Sequence, residues 1–558
     1  MRSFILLLAI AGCLLEYAMG QSLEFQGGTV SVSHYFYNRA AGAIPFEFPR
    51  QPNNLIRFQA QTAFKRGNDF YLPVQIRLNN NLNFSPLQPS PLGNSNFWQY
   101  IAHPGNRIYL GPRYKSFQGH IGSHIPIQSE LSVGDQQIFG LGGEFQVRQY
   151  KIMASVGTAR TAVPNFSFGR SQWSFRIEQT IQKRFTVGVN LARFRDQIGS
   201  VENPGFGILP QQTGLITVDV KGQLNQQVSF EAELGQGSWA PNSQIQDTTS
   251  EFGIANALIP GNFYKRSGMA GKLKIGLNNG TWGGDAKLLY IGHDYRLMAF
   301  PQRLSDRLDV LVSPWGHLFD RKLSLSGSVG LRLNNLSLSE QGLVTRQLLA
   351  NISGLARPTD YLDISFGYAN FGVRNTTDIQ GQHIQLVANS LSIVPSIYKQ
   401  FGEIMHRGTL TYSLDAFNDL NTTTGQNQTF SSNQIALAYS ATQSQWIGGV
   451  TLATQQIQDS VSTGLNSITV NGQYEILKGL RPTASLTIMD VRSMQTATGL
   501  QLLLNLGATY RWKQFSGSIQ MGNHNFAYRS VPGVPRKNEF TLYTTLQYRL
   551  PSPAKSTR

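Results

Sequence analysis

The chain has 558 residues and a formal net charge of +16, with 41% hydrophobic and only 14% charged residues, 55 glycines and one cysteine. The cysteine is Cys13, so the rest of the chain has no disulfide framework and no thiolate metal site, which excludes several classes of enzyme. Lysine and arginine are scattered singly or in pairs such as Lys265-Arg266. We therefore expect the positive charge to pair with lipid phosphate groups or to bias a pore towards anions, and we expect no nucleic-acid partner.

The first twenty residues have the pattern of a secretory signal peptide. Arg2 precedes a short apolar run over 4–15, and the small residues Ala18 and Gly20 form a cleavage site before Gln21. A competing interpretation takes residues 10–13 as a lipobox that would leave Cys13 acylated. We favour the signal peptide, because Leu14-Leu15 follow Cys13 where a lipoprotein normally turns polar.

Beyond residue 20 no run approaches the roughly eighteen apolar residues of a membrane helix, so any membrane span must consist of strands. Segments with a period of two recur along the whole chain, which is typical of half-buried strands. In chain order, we predict strands near 22–38, 53–66, 69–84, 113–122, 136–147, 150–163, 171–181, 184–196, 216–220, 228–234, 265–279, 281–296, 323–334, 344–357, 362–368, 381–396, 404–418, 430–442, 444–458, 464–477, 479–493, 502–512, 515–521 and 540–550.

One stretch departs from this rhythm. Residues 85–112 contain five prolines together with Phe97, Trp98 and Tyr100. Because proline limits ladder pairing, we favour an extracellular loop here over a segment folded into the lumen. We divide the chain into a signal peptide at 1–20, N-terminal strands with the Pro-rich loop at 21–112, a main barrel at 113–550 and a short polar tail at 551–558. In one alternative, the segment 21–112 partly fills the lumen.

Charged side chains alternate with apolar ones along the two neighbouring segments 216–221 and 228–234, and single charges lie on the polar faces of other predicted strands. A base at mid-depth on the lipid side costs about 2 to 4 kcal/mol, and an acid costs less, so these polar sets must face a lumen or a packed plug. The candidate lumen-lining residues are Asp219, Lys221, Glu231, Glu233, Arg332 and Arg511. We expect the first four either to pair across the wall or to form a constriction that selects solutes by charge.

The last part of the chain gives the clearest hairpin. Leu502, Leu504 and Leu506 alternate with polar or small residues until a turn at Lys513-Gln514, and the return strand repeats the pattern. A final strand over 540–550 would pair with the first strand, since a closed barrel has no free edge. The sequence therefore predicts an all-β, transmembrane, antiparallel up-and-down β-barrel of roughly 22 to 26 strands with long extracellular loops.

Connections alternate between short and long. Tight turns are predicted near 67–68, 225–226, 478–479 and 513–514. The long, polar connections are predicted at 196–214, 240–264, 295–321, 375–381 and 418–428. Outer-membrane barrels place short turns on the periplasmic side and long loops outside, so we expect the long set to be surface-exposed.

No catalytic constellation stands out. His120 and His124 share a strand face, but at strand rise they lie roughly 13 Å apart, too far for one metal ion without a bend. The segment 140–144 is glycine-rich without the full phosphate-binding fingerprint, and a twist or bulge is its simplest interpretation. We expect no metal, no cofactor and no enzyme activity, with a lipid hydrolase as a distant third possibility.

The residue pattern of two segments resembles that of a known family. Residues 139–145 with 150–157, and residues 322–330 with 334–336, resemble the large, mostly uncharacterised outer-membrane β-barrel proteins of Bacteroidota. This resemblance implies a location in the outer membrane of a Gram-negative bacterium, in contact with membrane lipids and lipopolysaccharide. It transfers no active residues.

Two functions remain open. The first is a non-enzymatic, porin-like channel or transport component for small solutes, because a barrel of more than about 16 strands encloses room for water unless something fills it. The alternative is a structural or interaction barrel, closed by its own loops and belonging to a secretion, adhesion or motility assembly with protein partners in the outer membrane. The long polar connections and the Pro-rich stretch favour this alternative.

Overall fold

A computed structural model describes residues 23–40, 54–80, 100–101, 105–163, 165–201, 207–247, 249–298, 305–337, 344–375, 385–419, 428–459, 462–493, 496–528 and 537–552. The strands are β1 (Glu24–Ala40), β2 (Asn54–Arg66), β3 (Phe70–Asn79), β4 (Arg107–Leu110), β5 (Arg113–Tyr114), β6 (Phe117–His124), β7 (Ile138–Val147), β8 (Tyr150–Arg160), β9 (Gly169–Ile181), β10 (Phe185–Gln197), β11 (Gln212–Gln223), β12 (Val228–Ala240), β13 (Arg266–Asn278), β14 (Trp282–Ile291), β15 (Arg307–Leu318), β16 (Leu323–Asn334), β17 (Thr345–Thr359), β18 (Leu362–Asn375), β19 (Gln385–Phe401), β20 (Ile404–Asp419), β21 (Gln428–Thr442), β22 (Trp446–Gln458), β23 (Thr463–Tyr474), β24 (Leu480–Ser493), β25 (Thr496–Trp512), β26 (Phe515–Tyr528) and β27 (Lys537–Leu550).

Each strand of the wall pairs antiparallel with the wall strands on either side of it, and the two ends of the sheet meet. β1 pairs with β27 over a continuous register from Gly28 opposite Leu550 to Ala40 opposite Asn538. β4 and β5 both lie between β3 and β6, so they are two halves of one wall strand. The wall is therefore a closed barrel of 26 strands, which confirms the predicted fold class.

Two wall strands were missed in the sequence. β15 lies inside the predicted long loop 295–321, and β4 lies inside the Pro-rich stretch 85–112. In β15 the apolar Leu311 and Trp315 share the inner face with Asp309, which hides the alternation. Pro314 leaves a gap in the pairing with β16 between Val312 and Trp315, and the register is the same on both sides of the gap. The loop prediction for these two segments is wrong.

The division at residue 113 marks no break in the wall. β3 pairs with β2 on one side and with β4 and β5 on the other, so the strands before and after this point form one sheet. The predicted signal peptide and most of the Pro-rich stretch lie outside the described residues, as does the tail beyond residue 552.

The wall has an apolar outer face and a polar inner face. On β12, Leu234 is 66% exposed on the outer face, and it lies opposite the exposed Val218 of β11. Glu233 lies next to Leu234 in the chain but points inwards and is 1% exposed. This alternation matches a barrel whose lipid-facing and lumen-facing residues take turns along each strand.

The connections separate the barrel into two ends. Turns at one end are short, and several use a positive φ, such as Gly67 between β2 and β3 and Lys513 between β25 and β26. Connections at the other end are longer, including those between β10 and β11 and between β12 and β13. In the described part of the chain, no helix is long and apolar enough to cross a membrane.

Candidate functional site

The connection between β6 and β7, residues 125–137, lies inside the barrel, and we call it the inner loop. Its apolar residues Leu131 and Val133 have no exposed surface. They pack in a cluster with residues from the wall and from the connection after β14, and the cluster consists of Leu131, Val133, Ala192, Phe194, Leu215, Ala270, Leu289, Ile291, Tyr295, Leu297 and Met298. The inner loop is therefore held against the inner face of β10 to β14 by burial of apolar surface.

Hydrogen bonds to the backbone fix the tip of the inner loop. The amide of Leu131 donates to both carboxylate oxygens of Glu233, at 3.2 and 3.4 Å. The hydroxyl of Tyr295 donates to the carbonyl oxygen of Leu131. Ser129 and Thr217 share a hydrogen bond of 3.0 Å between their hydroxyl groups. Both backbone polar groups of Leu131 thus have partners, as a buried peptide group requires.

A charged contact holds the same loop from the side. Glu130 accepts hydrogen bonds from the ammonium groups of Lys272 and Lys287, at 3.0 Å each. Burial alone would raise the pKa of Glu130, but the two lysines outweigh it and lower this pKa to about 2. Glu130 therefore stays ionised under ordinary conditions and acts as a clamp on β13 and β14.

A second network lies on the wall beside the loop. Arg176 of β9 makes a two-pronged contact with Asp219 of β11, and the Nη2 to Oδ1 distance is 2.9 Å. Asn190 of β10 lies between them and donates to Asp219 at 2.9 Å. Both side chains of this ion pair are buried. Loss of either one would therefore leave the other as a buried, unpaired charge and would destabilise the protein.

The six predicted lumen-lining residues fall into different environments. Asp219 and Glu233 are buried and bind Arg176 and the inner loop respectively, whereas Glu231 contacts Lys272 at 2.6 Å. Arg332 pairs with Asp309 of β15 at 2.8 Å. Lys221 and Arg511 are exposed, and Arg511 lies at the short-turn end of the barrel. The structure thus brings Asp219, Glu231 and Glu233 to one region but leaves Arg511 far along the wall.

The two histidines of β6 come closer than strand rise suggests. The rings of His120 and His124 stack with centroids 5.3 Å apart, because Gly122 between them adopts a φ of +90° and Gly142 leaves space for the His124 ring. His120 also contacts Glu144, which binds Lys151 at 2.7 Å. Among the described residues, no group of three or more potential metal ligands is arranged to hold an ion.

The opposite half of the barrel is lined differently. A cavity of about 580 Å³ lies against the inner face of β23 to β27 and β1, where the side chains are neutral and polar. Its inward-facing lining consists of Tyr35, Asn471, Gln473, Thr483, Ser485, Asn505, Gly507, Gln520, Gly522, Thr541 and Tyr543. These side chains are half-buried or exposed, so no described segment covers them. The described part of the lumen is filled on one side and uncovered on the other.

The inner loop is the part of the candidate site that the sequence does not predict. In the sequence it is only the connection between the predicted strands 113–122 and 136–147. The available signal was its composition, because Leu131 and Val133 have no strand on which to alternate and yet are too apolar for an exposed loop.

Comparison with family models and with curated proteins gives no match. Comparison with solved structures gives outer-membrane barrels. Acinetobacter baumannii OccAB4 is 12% identical, with a TM-score of 0.31, over 69% of this chain and all of its own. BauA, the ferric preacinetobactin receptor of A. baumannii, is 6% identical, with a TM-score of 0.35, over 95% of this chain and 81% of its own. FpvA of P. aeruginosa is 9% identical, with a TM-score of 0.35, over 94% of this chain and 72% of its own.

Proposed function

We propose that this barrel is an outer-membrane channel for small solutes. The observation that carries the proposal is the one-sided filling of the lumen. The inner loop packs against β10 to β14, while the neutral cavity lining on β23 to β27 has no cover among the described residues. Water and small solutes would pass along this uncovered side, since a wall of this many strands encloses more space than its side chains fill.

The outer face supports a membrane location for this channel. Exposed leucine, isoleucine, valine and aromatic residues alternate with polar residues on successive strands, for example Leu437, Leu452, Ile468 and Leu486 on β21 to β24. An apolar band of this kind requires a hydrocarbon environment, whereas a water-soluble protein would expose it at great cost. The surrounding partners are then membrane lipids and lipopolysaccharide.

Recordings in planar lipid bilayers test the channel. The purified full-length protein should give stepwise conductance after insertion, because no described segment closes this side of the lumen. Insertion is confirmed independently in vesicles of the same lipid composition, where the inserted barrel should be protected from protease. Inserted protein without conductance would reject the open channel.

One observation favours a second function, an interaction barrel in a larger assembly. The connection between β12 and β13 carries three exposed apolar side chains, and Phe252 is 92% exposed, with Ile245 and Ile254 at 62% and 68%. Such residues on a long loop are typical of a contact surface. A photo-crosslinking residue at position 252 should then capture a discrete partner in intact cells. Crosslinks only to other copies of this chain, or no crosslinks at all, would reject this function.

A further inference from the structure

Three arginines lie together on the inner face near the long-connection end of the barrel. Arg57 is in β2, Arg77 in β3 and Arg107 in β4, and apolar neighbours such as Phe58 and Ile108 point outwards. Arg77 lies directly opposite Arg107 in the antiparallel register. The guanidinium of Arg77 is within electrostatic range of both other arginines. Like charges directly opposite each other on a sheet are destabilising, so this arrangement needs a compensating charge.

No described group supplies that charge. Among the described residues, no carboxylate forms an ion pair with any of the three arginines. The Nε atoms of Arg77 and Arg107 are buried and have no hydrogen-bond partner in the described part of the chain. The connection between β3 and β4, over 80–106, contains no aspartate or glutamate in its sequence. Elsewhere on the inner wall the arrangement is different, as in the pairs of Arg176 with Asp219 and Arg332 with Asp309.

The backbone around the cluster is firmly fixed. Arg57 Nε donates to Asn79 Oδ1 at 2.9 Å, and the amide of Asn79 donates to Asn106 Oδ1 at 2.8 Å. The hydroxyl of Tyr100 donates to the carbonyl oxygen of Asn79 at 2.6 Å. Asn106 has no exposed surface. The three guanidinium groups therefore project from a fixed backbone, and binding of a ligand would not have to order this backbone.

We propose that Arg57, Arg77 and Arg107 form a binding site for an oxyanion, such as phosphate, sulfate or a carboxylate, on the inner wall at the barrel mouth. A guanidinium presents two parallel N–H donors that match two oxygens of such a group, and three of them surround it from adjacent strands. Arg57 is exposed, so a solute arriving from the long-connection end reaches the site. The anion would come from solution, because the arginines point into the barrel and away from lipid headgroups.

Calorimetric titration of the detergent-solubilised full chain at low ionic strength tests this site. Inorganic phosphate, sulfate, acetate and chloride are the probes. We expect phosphate and sulfate to bind and acetate to bind more weakly because it carries one charge. Chloride should bind least, since a single atom cannot match the two parallel N–H donors of a guanidinium with two acceptor atoms. Equal binding of all four anions, or of none, would overturn the proposal. The titration does not depend on conductance, so its result is separate from that of the channel.

Two variants and one control locate the binding. Arg77→Gln and Arg107→Gln should each weaken phosphate binding at least tenfold. They should also unfold at the same or a higher temperature than the parent protein without phosphate, because one repelling charge is gone. Arg549 lies on the inner face at the opposite end of the barrel, so Arg549→Gln should leave phosphate binding unchanged. A loss of binding in the Arg549 variant alone, or equal binding in all proteins, would contradict the assignment.

Discussion

The backbone amide of Leu131 donates a hydrogen bond to the carboxylate of Glu233, a residue 102 positions later in the chain. One residue belongs to a connection between strands and the other to the inner face of β12. This contact turns an otherwise ordinary loop into a fixed partition of the lumen. The fraction of the lumen that is filled therefore depends on a small number of polar contacts and on the apolar cluster behind them.

Removing the Glu233 carboxylate should loosen this partition. In Glu233→Ala the buried amide of Leu131 loses its acceptor, at a cost of about 1 to 3 kcal/mol. We expect a larger and noisier single-channel conductance, because the inner loop moves away from the wall. The matched control is Glu231→Ala, on the same strand and face, since Glu231 contacts Lys272 and leaves the Leu131 bond intact. Identical current traces for both variants would show that the bond does not hold the loop.

Acidification should weaken the inner loop through Glu130. Its pKa in the folded protein is lowered from 4.5 to about 2, so the contribution to stability is present above pH 4.5 and is lost as the pH falls through 2. The shift corresponds to at most about 3 kcal/mol, because each pKa unit is about 1.4 kcal/mol. Denaturant unfolding at several pH values should show this loss in the parent protein.

Two substitutions in the inner loop isolate the effect. Glu130→Gln should be less stable at neutral pH, and its unfolding midpoint should fall less between pH 4.5 and 2. Asp135 lies in the same loop, and the structure shows no ion pair for it among the described residues. Asp135→Asn should therefore keep the acid sensitivity of the parent protein. Equal acid sensitivity in the Glu130 variant would exclude Glu130 as the cause.

The sequence predicts the wall far better than it predicts the lumen. Alternation is a local property, so 24 wall strands are recognisable from their own residues, and only β15 and the strand formed by β4 and β5 are hidden, by Pro314 and by the Pro-rich stretch. The contact between Leu131 and Glu233 is not local, and nothing in either segment identifies the other. The stacking of the His120 and His124 rings does not follow from strand rise alone, because Gly122 between them adopts a φ of +90°.

The strand glycine Gly142 should be required for the packing of His124. A Cβ at this position would meet His124 Nε2 at 2.6 Å and Ser155 Oγ at 2.8 Å. Gly142→Ala should therefore destabilise the barrel by about 1 to 3 kcal/mol, the usual cost of overpacking. Gly464 of β23 has open space around its Cβ position, so Gly464→Ala should be neutral or slightly stabilising. Heat-induced unfolding, monitored by gel mobility, gives the unfolding midpoint of each variant. Equal midpoints for the Gly142 and Gly464 variants would mean that the His124 ring moves aside freely.

The two faces of the wall should respond oppositely to a new charge at mid-strand. Leu234 lies near the centre of β12 on the outer face, and Leu234→Arg should cost about 2 to 4 kcal/mol in a lipid bilayer, where the guanidinium faces hydrocarbon. Asn505 lies near the centre of β25 on the uncovered inner face, and Asn505→Arg should be tolerated because water reaches it. Urea-induced unfolding in vesicles measures both changes. A similar loss of unfolding free energy in both variants would mean that Asn505 is shielded from water. A negligible loss in both variants would contradict the placement of Leu234 on the lipid-facing side.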